Sequence, residues 1–228
     1  MIIDKIFFIN LEKRRDKYNR TIKQFKKINF KNYERFNAIN GNLFSTLEEV
    51  VQAVQNINFD YQMFNEKLQN TPRYRAKISC WLSHYSILRK YKNNDSEHWI
   101  IILEDDIILN YDINQLNKFV NDTLKKHKNP DIIVLGDRVG ICGSHIGDNI
   151  QKYGKNDYFG CDCYAVKIHS INKIISFLKL DIKQNLCSID NRFADKNAQN
   201  VVKIVPLEGN QFGTCVDRFQ KDSDIEII

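Results

Sequence analysis

The most conspicuous chemistry in this sequence sits in its most apolar stretch. In "WIIILEDDIILNYD", Trp99 to Asp112, four hydrophobic residues (Ile100 to Leu103) run directly into Glu104, Asp105 and Asp106, and Ile107 to Leu109 follow. Burying an unpaired carboxylate is costly, so three in such a run need a strong partner, and a bound cation or substrate is the first candidate. If the chain stays extended through the motif, Glu104 and Asp106 project to one side and Asp105 to the other. Two carboxylates one repeat apart can share a divalent ion. Hard oxygen donors suit Mg²⁺ or Mn²⁺, which in transfer enzymes take one or two carboxylates plus phosphate oxygens. The plainer alternative is an acidic strand end that caps the next element.

Strands and helices must alternate to position this motif. Lys5 to Asn10 reads as a strand, and Lys13 to Ile28 as an amphipathic helix with Tyr18, Ile22, Phe25 and Ile28 at helical spacing. A second strand (Tyr33 to Ile39), a turn (Asn40 to Asn42) and a capping box from Ser45 and Glu48 lead to a helix over Leu47 to Ile57. Asn58 to Arg75 is a polar, aromatic excursion. Ile78, Trp81, Leu82, Tyr85 and Leu88 mark the apolar face of the helix before the acidic strand. Downstream come a polar helix (Ile113 to His127), a strand (Asp131 to Gly136), a glycine-containing mobile loop (Asp137 to Gly160) and a strand (Cys161 to Ile168). A helix (Ser170 to Leu180), a short helix near Asp190 to Lys196 and a last strand (Val201 to Val205) complete the pattern. This alternation predicts one α/β domain over residues 1–228, a mostly parallel, Rossmann-like sheet with helices on both faces. Ligands collect at the carboxyl ends of strands in such sheets, where Glu104 to Asp106 fall. Neither GxGxxG nor GxxxxGK[ST] occurs.

Composition narrows the classes further. The 228 residues are 43% hydrophobic and 11% aromatic, and no apolar run reaches the length of a membrane span. The net charge of +6, from 34 basic and 28 acidic residues, is spread along the chain, which favours a solvated surface or an anionic small molecule over nucleic acid. The N-terminus reads as a strand and not as a signal peptide, and the six scattered cysteines read as reduced thiols, so a cytoplasmic location is expected. Cys161 and Cys163 are the only close cysteine pair and suit a strand better than a zinc knuckle, so no zinc site is expected.

Several segments, taken together and in order, resemble glycosyltransferase family 25, the group of lipooligosaccharide and collagen hydroxylysine galactosyltransferases. They are "FINLEKRRDK" (Phe8 to Lys17), "FNAINGNLF" (Phe36 to Phe44), "ISCWLSHYSIL" (Ile78 to Leu88), "WIIILEDD" (Trp99 to Asp106), "DIIVLG" (Asp131 to Gly136), "CYAVKIHSINKII" (Cys163 to Ile175) and "CSIDNRF" (Cys187 to Phe193). The resemblance implies a GT-A-like fold, a UDP-sugar donor, Mn²⁺ or Mg²⁺, and inversion at the anomeric carbon. It makes Asp106 and Glu104 the metal ligands. Arg14 and Lys17 would face the nucleotide, and Ala38, Asn40, Ser83, Glu104 and Asp105 would line the donor site. His84 and Asp190 would be catalytic, Asp190 as general base. The sequence departs from the family pattern at Lys17, at Asn40 in "AING" and at Lys77 in "AKISC".

The expected activity is therefore metal-dependent transfer of galactose or glucose to a hydroxyl of a protein or glycan acceptor. Two other readings remain open. A glycosidase would hydrolyse without nucleotide or metal, and a non-catalytic sugar- or nucleotide-binding domain would bind without turnover. Each singled-out side chain also has a structural alternative: His84 as a hydrogen-bonded core residue, Arg14 as a solvated helix residue, Asp190 as a helix cap.

Overall fold

The computed structural model describes residues 2–46, 49, 71–109, 112–126, 130–135, 144–147, 150–152, 162–177 and 201–204. Within them the chain runs β1 (Ile3–Asn10), α1 (Arg15–Lys27), β2 (Tyr33–Asn37), a 3-10 turn (Gly41–Leu43), α2 (Pro72–Lys90), β3 (Trp99–Glu104) and α3 (Ile113–Lys126). It continues through β4 (Ile132–Val134), β5 (Ser144–Gly147), β6 (Ile150–Lys152), β7 (Cys163–Lys167), a second 3-10 turn (Ile168–Ser170), α4 (Ile171–Phe177) and β8 (Val201–Ile204).

The described strands form one sheet in the order β2-β1-β3-β7-β4-β8-β6-β5. β1 pairs in parallel with β2 and β3, and β4 with β8. β7 runs antiparallel between β3 and β4, and β6 antiparallel between β8 and β5. The α/β architecture is as expected, but the sheet is mixed where a mostly parallel one was predicted. A parallel neighbour needs a crossover, commonly a helix. The segment before β7 carries the β5–β6 hairpin instead, so β7 enters from the opposite end. Its apolar run reads the same in either direction, and composition cannot reveal the reversal.

Side chains alternate between the two faces of the sheet. Phe7 and Ile9 of β1, Ile100 and Ile102 of β3, and Tyr164 and Val166 of β7 pack with Ile78, Trp81, Leu82 and Leu88 of α2 and Ile171 and Ile174 of α4. Ile6 and Phe8, Ile101 and Leu103, and Ala165 face the other way, against Phe25 of α1 and Leu116 and Val120 of α3. Both faces are covered, which is why β1 and β3 are continuous apolar runs. The apolar face predicted for α2 is buried at all five positions. The helix starts earlier than the periodicity suggested, at Pro72, whose fixed φ and missing N–H suit a first turn.

Local signals explain several boundaries. Asp112 caps α3, accepting from the N–H groups of Asn114 and Gln115 at 2.8 and 2.9 Å, while Gln115 Oε1 accepts from Asp112 N at 2.9 Å. The capping box expected from Ser45 and Glu48 forms one residue later: Glu49 N donates to Thr46 Oγ1 at 3.1 Å, and Glu49 Oε2 accepts from Ser45 N at 2.7 Å. The helix it would open, most of the Asn58 to Arg75 excursion, and the short helix near Asp190 lie outside the described residues. Part of the stretch expected as a mobile loop, Asp137 to Gly160, is the hairpin β5–β6.

Two outcomes follow from this packing. A Cβ on Gly41 would lie 2.5 Å from Arg75 O and 2.6 Å from Ser79 Oγ, so the turn after β2 touches α2 only because this residue is glycine. Gly41→Ala should lower the unfolding free energy by about 1–3 kcal/mol, the scale of overpacking, seen as a lower urea midpoint at unchanged slope. On β2 itself, Lys90 and then Lys5 hydrogen-bond Glu34 at 2.6 and 3.2 Å and hold its carboxyl below the usual range. A depressed folded value means a contribution present at neutral pH and lost as pH falls through that value. All three side chains are at least partly exposed, so Glu34→Gln should cost less than about 1 kcal/mol at pH 7. The difference between variant and wild type should close in acid, as thermal melts across pH would show.

Candidate active site

The loop after β1 leads to α1 on one face of the sheet, whereas the loop after β2 packs against α2 on the other. The two part above the carboxyl ends of the strands, and partings of this kind open ligand crevices in α/β sheets. Here the crevice is a cleft of about 660 Å³, its open mouth included. Ile9, Leu11 and Lys17 form one wall; Ala38 to Asn42 with Ala76, Cys80 and Ser83 form the other; Glu104, Asp105 and Asp106 form the floor.

β3 ends at Glu104, and the chain turns at Asp105 and Asp106. The alternation expected from an extended motif therefore stops, and all three carboxylates line the cleft. Asp105 is the structural member. Asn10, at the end of β1, donates its Nδ2 to Asp105 Oδ2 at 2.5 Å, and Lys17 Nζ lies 3.6 Å from Oδ1. The same Asn10 amide donates to Arg14 O at 3.1 Å, so one side chain joins the α1 entry to the acidic turn. Burial raises the Asp105 carboxyl to about 6, although Lys17 and Asn10 pull it down. Asp106 is only 4% exposed. Glu104 reaches across to α2, its Oε1 lying 3.4 Å from His84 Nε2 and accepting from Cys80 Sγ at 3.5 Å.

The other expected site residues are distributed as follows. Lys17 is in the cleft, with its ammonium on Asp105 and a side chain only 2% exposed. Arg14 is not among the lining residues; its guanidinium grips Asp16 at 3.0 and 2.8 Å. Ser83 lines the wall and ties it together, accepting from Ile39 N at 3.0 Å and donating to Ser79 O at 2.7 Å. Asn40 Oδ1 accepts from Asn42 N at 3.2 Å, shaping the turn, and Ala38 N donates to Asn10 O at 3.0 Å. His84 is fully buried, its Nδ1 2.9 Å from Tyr164 OH, and it meets the cleft through Glu104. Asp190 lies outside the described residues.

Sequence reasoning missed Asn10, Cys80 and the hydroxyl of Tyr164. Asn10 ends an apolar strand, where an amide looks like a terminator, and Tyr164 lies within a buried apolar strand that gives its hydroxyl no sequence signal. Cys80 carried a legible signal: it precedes His84 by four residues, one helical turn on the same face.

A cation fits this floor. Three carboxylates face one lysine across the cleft lining, and Glu104 and Asp106 present oxygen donors of the kind that Mn²⁺ and Mg²⁺ prefer. A diphosphate approaching such a surface needs positive charge between itself and the acids.

A murine relative, procollagen galactosyltransferase 2 of Mus musculus, is 25% identical over 139 residues, covering 60% of this chain and 21% of that protein. The chain thus spans about a fifth of that relative's length. Among solved structures, the galactosyltransferase LgtC, in complex with donor and acceptor sugar analogues, aligns with a TM-score of 0.44 and 9% identity over 87% of this chain and 72% of its own. The apo glycosyltransferase GlyE of Streptococcus pneumoniae aligns at 0.40 and 13% over 88% and 45%. The model of the family described as glycosyltransferase family 25 (LPS biosynthesis protein) matches residues 3–140, a span that contains every described wall and floor of the cleft. With more than half of its length matched, the chain belongs to glycosyltransferase family 25.

Proposed function

We propose that this protein transfers a hexose, galactose or glucose, from a UDP-sugar to a hydroxyl of a glycan or protein acceptor, with inversion at the anomeric carbon. The observation that carries the reading is the acidic floor: three carboxylates at the strand ends of a sugar-transferase family member, with one lysine among the lining residues to offset them. The acceptor classes follow the family description, which names LPS, and the murine relative, whose name specifies procollagen.

In this reading Asp106 and Glu104 hold Mn²⁺ or Mg²⁺, which when bound supplies Lewis-acid stabilisation of the leaving diphosphate. The protein's own groups do the rest. Lys17 and Asn10 fix Asp105 and with it the acidic turn. His84, braced by Tyr164, orients Glu104 from behind. Ser83 and Gly41 hold the 38–42 wall against α2, where the donor's nucleoside would lie. Asp190 is the proposed general base, because inverting displacement needs a carboxylate opposite the leaving group and carboxylates engaged with a cation are not available for that proton.

The direct experiment is incubation with a panel of UDP-sugars, Mn²⁺ and candidate hydroxyl acceptors, with UDP release and glycosylated product both followed. UDP binding without transfer on any acceptor would support the binding-domain reading, and sugar hydrolysis without nucleotide would support the glycosidase. By calorimetry, Mn²⁺ should strengthen UDP binding, and Asp106→Ala should weaken the Mn²⁺-dependent complex by about tenfold or more, equivalent to about 1.4 kcal/mol. Equal affinity in Mn²⁺ and in excess chelator would refute the site. For Asp190→Asn, donor affinity should be retained while turnover falls by about 10²- to 10⁴-fold, the range of general-base catalysis. Near-normal transfer would remove Asp190 from the mechanism.

A further inference from the structure

We infer that Cys80, His84 and Glu104 form a three-ligand site for a borderline-soft transition ion of the zinc class, with an open coordination position facing the cleft. The cobalt titration below tests this site without nucleotide or transfer, although it shares Glu104 with the donor-metal pair proposed above. One sulfur, one ring nitrogen and one carboxylate oxygen lie within 4.8 Å of one another. Two edges of that triangle are 3.5 Å, Sγ to Oε1, and 3.4 Å, Nε2 to Oε1. For tetrahedral zinc with Zn–S of about 2.3 Å, Zn–N of about 2.0–2.1 Å and Zn–O of about 2.0–2.2 Å, neighbouring donors stand about 3.3–3.6 Å apart. Both edges fall in that range. The nitrogen–oxygen separation is, by contrast, long for a hydrogen bond, whose usual distance is about 2.9–3.0 Å.

The surroundings complete the site. Helix α2 places Cys80 and His84 one turn apart. Tyr164 OH engages His84 Nδ1 at 2.9 Å, fixing the ring so that Nε2 is the nitrogen presented to Glu104, as outer partners do for metal-binding histidines. His84 is fully buried, while Cys80 and Glu104 line the cleft and give an ion its way in. The thiolate in this sulfur, nitrogen and oxygen set selects zinc-class ions over Mg²⁺ or Mn²⁺, which favour oxygen donors. Glu104 also belongs to the proposed donor-metal pair, so a zinc-class ion at Cys80 and His84 competes for that carboxylate.

The test is a titration of the full chain, stripped of metal and kept reduced, with Co²⁺ as a spectroscopic probe and no nucleotide present. The expected result is one equivalent bound, with a near-ultraviolet thiolate-to-cobalt band and the intense visible absorption of four-coordinate cobalt, both abolished by Zn²⁺. Cys80→Ser should lose the thiolate band at an unchanged melting temperature. Glu104→Gln should keep the band but weaken cobalt binding by about tenfold or more. A wild-type protein without the band, or a Cys80→Ser protein that retains it, would overturn the site. Should Cys80→Ser fail to fold, alkylation of Cys80 in the wild type decides by mass spectrometry: Zn²⁺ should slow it, because a metal-held thiolate is withdrawn from attack, and an unchanged rate overturns the site.

Discussion

The buried meeting of Asn10, Lys17 and Asp105 is the interaction on which the cleft depends. It joins the end of β1, the first turn of α1 and the turn after β3 at one point. An amide and an ammonium offset the cost of burying a carboxylate, and the balance is close enough that the carboxyl still titrates well above its ordinary range. Removing either donor would leave the acid buried with less compensation, so the turn that displays Glu104 and Asp106 is fixed by a group that is itself spared for structure. Acidic display and acidic anchoring are divided among three consecutive residues.

The opposite wall is built on contact instead of charge. Gly41 lets backbone lie against the α2 backbone, and Ser83 spends its hydroxyl on holding Ile39 and its own helix. α2 serves both purposes at once. Its apolar stripe covers the sheet through Ile78, Trp81, Leu82 and Leu88, while the flank carrying Ala76, Cys80 and Ser83 faces the cleft. The placement of those three residues is therefore set by the same burial that holds the domain together.

Much of this was legible in the residues. Continuous apolar runs located β1 and β3, helical spacing located α1 and most of α2, and a polar stretch between strands located α3, each within a few residues, and the acidic triplet was correctly put at a strand end. Three features escaped for identifiable reasons. The direction of β7 is set by how the chain returns, which composition does not encode. The side on which Asp105 points depends on where the strand stops, and "LEDD" contains no breaker to mark it. The grouping of Cys80 with Glu104 is a contact between a helix and a strand, invisible to a search for closely spaced cysteines. The ion pair of Arg14 with Asp16, two residues on, was likewise not read from the sequence.

The reversal of β7 has an architectural consequence. Because it runs against β4, the end of β4 and the start of β7 emerge together, and Leu135 N donates to Cys163 O at 2.9 Å across that junction. Beside it, Glu104 N donates to Asp162 O at 2.8 Å, at the floor of the cleft. Residues 135 and 163, on either side of the connection between β4 and β7, are thus held together next to the candidate active site. Doubling the length of such a closed excursion costs only about 0.6 kcal/mol in closure entropy. Chain added at this junction would therefore cost little in closure entropy and would sit beside the acidic floor.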